Sequence, residues 1–269
     1  MVPTFLPRGG RIAAQPAALV ARRTPAPETL HPALWLGHQL GRQVDPVVTS
    51  GFTELDSQLP GGGWPRRVLT ELLLPHSGVG EIRLLAPSLV AIQRGGRMVM
   101  LFDPPAQPSG WALVQAGFDV ARLLVVRSRS RVLPGTDSLW AMEQALKSGH
   151  VGAVLAWLPP RLRSERLRRL QLASQAHDGP AFVLRDSAAR DRPTAAPLRL
   201  ALRAGGADRL TVWILKRRGP ALDTPLQLEL PPVLSAAARQ RADQPLQPTP
   251  NERAMPAGRP RRAAFIPIG

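Results

Sequence analysis

Between Val68 and Leu184 the sequence switches repeatedly between two periodicities, and this alternation limits the possible folds more than any other feature. Short β-rich runs lie at Val68–Leu74, Met98–Phe102, Leu123–Val126, Ala153–Leu158 and Ala181–Leu184. Helix-like segments separate them at Glu81–Gln93, Gly110–Ala116, Ser138–Lys147 and Leu162–Ala176. A helical crossover returns the chain so that the next strand runs parallel to the last, so the pattern predicts βαβ units and a mainly parallel sheet. After residue 195 only strand-like runs remain, at Leu198–Leu202, Leu210–Leu215 and Leu226–Leu230. The turn signals AGGAD and RGPALDTP between them predict antiparallel strands closing one edge. The fold class is α/β.

Proline and glycine set the boundaries. There are 30 and 23 of them in 269 residues, concentrated where apolar periodicity fails. Residues 1–45 read as an N-terminal arm with a short docking helix at His31–Leu40, and 233–269 as a disordered basic tail. The ordered domain is expected at 46–232. With 44% hydrophobic residues the chain can bury a sizeable core. No uncharged apolar run is long enough to span a bilayer, and the N-terminus breaks on Pro and Gly before a signal segment forms, so a cytoplasmic location is expected. There is no cysteine, which excludes disulfides, thiolate metal sites and thiol nucleophiles.

The net charge of +16 is unevenly placed. Residues 161–218 hold fourteen basic and five acidic side chains. Lysine occurs only at Lys147 and Lys216, so the surplus is arginine, which suits carboxylate and phosphate partners. A purely solvated arginine-rich face stands beside that reading with equal weight.

The first strand runs into Pro75-His-Ser-Gly-Val-Gly-Glu-Ile82 and then a helix, the setting of a phosphate loop. Such a loop needs a first glycine for curvature, a lysine against the terminal phosphate and a hydroxyl on magnesium. With Gly80 as the second glycine, Pro75, Glu81 and Ile82 occupy those three positions. Every side-chain function is missing, and a carboxylate at 81 repels a triphosphate.

The entry segment Ser50–Leu73, with its LPGGGWP turn at Leu59–Pro65, resembles the start of the RecA ATPase core. The combination with Gly78–Glu81, VLAWLP at Val154–Pro159, LRRLQLA at Leu167–Ala173 and KRRGP at Lys216–Pro220 is similar to the ImuA family, RecA-related relatives of the SulA cell-division inhibitors. The match covers roughly 45–232. It implies a RecA-like core, with Pro105 where the catalytic glutamate would stand and Trp157 at the Walker-B aspartate. It therefore implies a noncatalytic pseudo-ATPase without cofactor, metal or small-molecule substrate.

By the same resemblance the expected role is in SOS-induced translesion DNA synthesis, with an ImuB-like Y-family protein, an error-prone DnaE-type polymerase and RecA as partners. The alternative is a SulA-like inhibitor that binds the tubulin-like division protein FtsZ. A working ATPase is opposed by Pro75, Glu81, Ile82 and Trp157. Other chemistry has little footing: the five histidines are scattered, and His76-Ser77 are adjacent rather than facing. Asp103, at a strand end, reads as a turn former.

Candidate contacts are therefore surface groups. Arg161, Arg163, Arg166, Arg168 and Arg169 cluster on one helix, whose Leu167, Leu170 and Ala173 are spaced to face the sheet. Lys216, Arg217 and Arg218 end a strand. Either group could meet an acidic protein or DNA. Phe265, Ile266 and Ile268 form an apolar cluster in the tail that is expected to dock on a partner. Trp64 is expected as a lid over a strand end, and Trp35, Trp111, Trp140, Trp157 and Trp213 as core.

Overall fold

A computed structural model describes residues 46–128, 136–159, 161–206, 208–220 and 222–233. The two arms, with the His31–Leu40 helix, Trp35 and the Phe265, Ile266 and Ile268 cluster, lie outside the described residues.

The chain enters through a two-stranded antiparallel pair, β1 (Val47–Val48) and β2 (Trp64–Pro65), bridged by the short helix α1 (Thr53–Asp56). None of these three was legible as apolar periodicity, because each is too short to show a period. Gly51 adopts φ 87°, and a Cβ there would stand 2.5 Å from the ring of Pro87. That close approach requires glycine.

The main sheet has eight strands: β3 (Leu69–Leu74), β4 (Met98–Phe102), β5 (Leu123–Val126), β6 (Val151–Trp157), β7 (Ala181–Asp186), β8 (Leu198–Gly206), β9 (Arg209–Lys216) and β10 (Leu226–Glu229). Their spatial order is β10-β9-β8-β3-β7-β6-β4-β5. Strands β8 through β5 in that order are parallel, while β8, β9 and β10 pair antiparallel. The helices are α2 (Glu81–Arg94), α3 (Gly110–Gln115), α4 (Thr136–Lys147) and α5 (Ser164–Ser174).

Strand β3 sits in the middle, and all six of its residues are buried. A central strand covered on both faces has no polar side to alternate with, which explains the near-continuous LTELLL run. Alternate residues serve opposite faces. Leu72 and Leu74 join the core formed with Leu84, Leu85 and Leu89 of α2. Leu69 joins the opposite core with Leu139, Met142 and Leu146 of α4 and Leu167, Leu170 and Ala173 of α5.

Glu71 shares the Leu69 face and is fully buried. Its carboxylate pairs with Arg185 of β7 at 2.7 Å and Arg199 of β8 at 3.0 Å. Arg199 also donates to the carbonyls of Ala189, Arg190 and Arg192, which fixes the turn after β7. A buried charge is tolerated only when paired in this way.

Trp64 is fully buried, edge-on to Phe182 with ring centres 5.2 Å apart. Trp111 and Trp140 differ from their expected core positions, being 75% and 63% exposed. The reason is geometric. Helix α3 is one and a half turns long and buries none of its residues. On α4 the buried stripe is Leu139, Met142 and Leu146, and Trp140 lies about 100° around the helix from Leu139.

Candidate functional site

Strand β3 ends at Leu74, and seven residues later α2 begins, capped by Gly80 in the left-handed region at φ 117°. Gly78, at φ 89°, lets the loop curl back. The amides of this loop point inward, as they would toward a phosphate, but they already have an acceptor. Glu81 Oε1 accepts from the Gly78 amide at 2.9 Å, and Oε2 accepts from the Gly80 amide at 3.1 Å. The side chain is 3% exposed. An anion at a helix N-terminus is favourable, and here the protein supplies its own. Pro75 is exposed and Ile82 half-buried, and neither position supplies a cation or a hydroxyl to the loop.

At the carboxyl ends of β3, β4, β6 and β7 lies a hollow of about 190 Å³. Open α/β sheets bind ligands at this position. Pro105, Trp157, His76, Ser77, Arg185 and Asp186 line it, so two of the positions compared with an ATPase, Pro105 and Trp157, share one hollow. Pro105 and Trp157, the positions compared with the catalytic glutamate and the Walker-B aspartate, bring no carboxylate to it. His76 Nδ1 lies 3.1 Å from the Ser77 carbonyl rather than on the Ser77 hydroxyl. Asp103, with φ 48°, accepts from the Ser128 amide at 2.6 Å and from the Ser138 hydroxyl. It ties the end of β4 to the start of α4. Among the described residues no group of three potential metal ligands exists, and no helix is long and apolar enough to cross a membrane.

The outer surface is more distinctive. On the α2 side of the sheet a groove of about 490 Å³ runs between α2, α3 and the segment 231–233. Trp111 stands over it, with Pro87, Val90 and Val233 giving an apolar lining. Arg83 and Arg94 mark its edge. Arg83 is held by Asp208 and the Pro231 carbonyl, each at 2.6 Å. Sequence reasoning missed this groove. The available signal was an aromatic residue in a helix too short to have a buried stripe.

The other face carries α5. Its first residue is Ser164, with Arg163 before it in extended conformation. Arg161, Arg163, Arg168 and Arg169 are exposed and Arg166 half-exposed. Arg169 is committed to the buried carboxylate of Glu143, at 2.8 Å. At the end of β9, Lys216 donates to the Thr194 carbonyl at 3.3 Å, and Arg217 donates to the Pro220 carbonyl at 2.7 Å and to Gln58. Arg217 therefore pins the loop after α1. Arg218 is exposed at the following turn. The two basic groups of the sequence are separate in space and differ in kind.

His177, between α5 and β7, is fully buried. Burial pushes its pKa down to about 4, helped by the Arg97 charge and opposed by Asp178 and the Pro180 backbone. It is a neutral packing residue at neutral pH.

Residues 69–182 match the family model described as cell division inhibitor SulA. The chain is 32% identical over 124 residues to the cell division inhibitor SulA of Edwardsiella piscicida, spanning 46% of this chain and 71% of that protein. It is 27% identical to that of Serratia marcescens and 26% identical to that of Yersinia enterocolitica, each over 118 residues, 44% of this chain and 67% of the relative. These matches overturn the expected role in translesion synthesis. The family model and these relatives carry the description of division inhibitors, and none supports ImuA specifically or ImuB, DnaE-type polymerase or RecA as partners. Three of the segments that suggested ImuA, Gly78–Glu81, Val154–Pro159 and Leu167–Ala173, lie within the span that matches SulA, and the wider alignment favours the latter.

Proposed function

The chain belongs to the SulA family, and on that premise we propose that it is a noncatalytic inhibitor of cell division that binds the tubulin-like division protein FtsZ. The observation that carries this reading is the similarity to SulA, 32% over 124 residues of the Edwardsiella protein. The site we assign to the contact is the Trp111 groove. A large exposed aromatic over an apolar cleft, rimmed by arginine, has the composition of an interface hot spot. A partner with an apolar ridge and acidic flanks fits it.

The geometry of the loop supports the noncatalytic reading. Glu81 fills the space a phosphate would take and satisfies its amides. We read the sheet as a RecA-like core whose nucleotide position has been closed by a side chain of the protein itself. The strand order and the antiparallel extension β8-β9-β10 support that reading. Binding a division protein would place the chain in the cytoplasm.

The test is polymerisation of purified FtsZ with GTP, followed by light scattering and sedimentation. The full chain is expected to lower the polymer yield in proportion to its concentration, and Trp111→Ala to lose that effect while remaining folded. Unchanged polymer at a several-fold excess of the chain would reject the proposal.

A further inference from the structure

Helices α4 and α5 cover the face of the sheet opposite the Trp111 groove, and they leave a second exposed tryptophan. Trp140 lines a hollow of about 530 Å³ with Arg166 and Arg169 of α5 and Asp137 and Glu143 of α4. The sequence separates Trp140 from these arginines by more than twenty residues, and the helix pair brings them side by side. Leu172 is 56% exposed, and by helical spacing it lies beside Arg168 and Arg169. Among the described residues Arg161, Arg163, Arg166 and Arg168 make no ion pair. Trp140 is thus flanked by the uncommitted guanidinium of Arg166, and Arg161, Arg163 and Arg168 add three more along α5 and its approach.

We propose that this α4–α5 face is a second docking surface, and that its occupant is an acidic protein segment presenting an apolar side chain to Trp140. The charge decides among occupants. A second copy of this chain would set one arginine rim against another, which is repulsive. A nucleic acid strand would bring continuous phosphate charge against Asp137, the carboxylate in the same hollow that Arg169 does not neutralise. A protein segment can place carboxylates on the arginines and leave Asp137 facing a neutral or basic group. Trp and Arg at the centre of a contact carry most of its energy. The inference invokes neither FtsZ nor the Trp111 groove, so it stands or falls independently of the division reading.

The experiment uses the full chain and three fluorescein-labelled probes of equal length. These are a glutamate-rich peptide carrying Leu and Phe, the same peptide with alanine at those positions, and an oligothymidine strand. Anisotropy is read at low and moderate salt. The first peptide is expected to bind tightest. Trp140→Ala should weaken it by about tenfold or more. Arg166→Gln with Arg168→Gln should weaken it and flatten its salt dependence, while Trp111→Ala leaves it unchanged. Arg169 is kept, because its loss would strand a buried carboxylate. Equal binding of the alanine peptide, or unchanged binding by Trp140→Ala with its melting temperature intact, would overturn the proposal. Tighter binding of oligothymidine that is lost in Trp140→Ala would overturn it in favour of nucleic acid. If Trp140→Ala melts early, Arg166→Glu provides the same decision by reversing one charge at the rim.

Discussion

The carboxylate of Glu81 accepts a hydrogen bond from the amide of Gly78 at 2.9 Å, closing the loop that precedes α2 from inside. A residue that the sequence marks only as the wrong charge for a phosphate loop is, in the fold, the group that satisfies it. The expected consequence is no nucleotide binding tighter than about millimolar, measured by calorimetry with magnesium-ATP. Glu81→Ala should cost about 1–3 kcal/mol in denaturant unfolding, because the charge-assisted hydrogen bonds from the Gly78 and Gly80 amides are lost. Glu81→Lys should confer no hydrolysis, since Ile82 and Trp157 bring no magnesium ligand to the positions that the RecA resemblance assigns them.

Trp111 is 75% exposed and supports no core. Trp111→Ala should therefore leave the melting temperature within error, while truncation of a central interface tryptophan costs about 2 kcal/mol or more of binding. Co-sedimentation with FtsZ measures the second quantity and thermal denaturation the first.

Glu71 bridges two buried arginines on neighbouring strands. Glu71→Leu fills the volume but leaves Arg185 and Arg199 without their carboxylate, and should cost about 3–5 kcal/mol or prevent folding. Replacing Arg185 by Met as well should recover part of that loss. Urea denaturation of the single and double variants checks both statements.

The low pKa of His177, about 4, makes stability depend on acid. The unfolded chain takes up this proton near pH 6.5 while the folded protein resists it until about pH 4. The stability this residue contributes is complete above 6.5 and is lost as pH falls through that window. The integrated loss is on the order of 3 kcal/mol at most. His177→Phe, a ring that cannot protonate, should remove the slope between pH 6.5 and 4 in a melting-temperature profile.

Basic side chains that look alike in sequence behave differently in the fold. The Arg161–Arg169 cluster reads as one patch of equal charges, yet Arg169 is bound to buried Glu143. Replacing all five arginines by Gln is therefore expected to lower stability as well as charge. Unfolding of that variant compared with one that retains Arg169 should show a difference of about 1 kcal/mol, because solvent at the half-exposed Arg169 screens the pair.

What the sequence determined by itself is the order and type of the main elements. Periodicity over five or more residues reports local burial, so the βα alternation, the meander after residue 195 and the inward stripe Leu167, Leu170 and Ala173 were all legible. The missing lysine and hydroxyl of the loop were legible too, because that motif is contiguous. The tertiary structure alone decided which groups meet. Glu71 reaches Arg185 across 114 positions and Arg199 across 128, because β7 and β8 happen to flank β3. Trp140 stands beside Arg166 because α4 packs on α5. A tryptophan's residue type carries no sign of whether its helix turns it inward, so Trp111 and Trp140 read as core until the buried stripes were fixed by packing. Short contacts across long separations are set by the sheet order, and that order is a global compromise no local run of residues encodes.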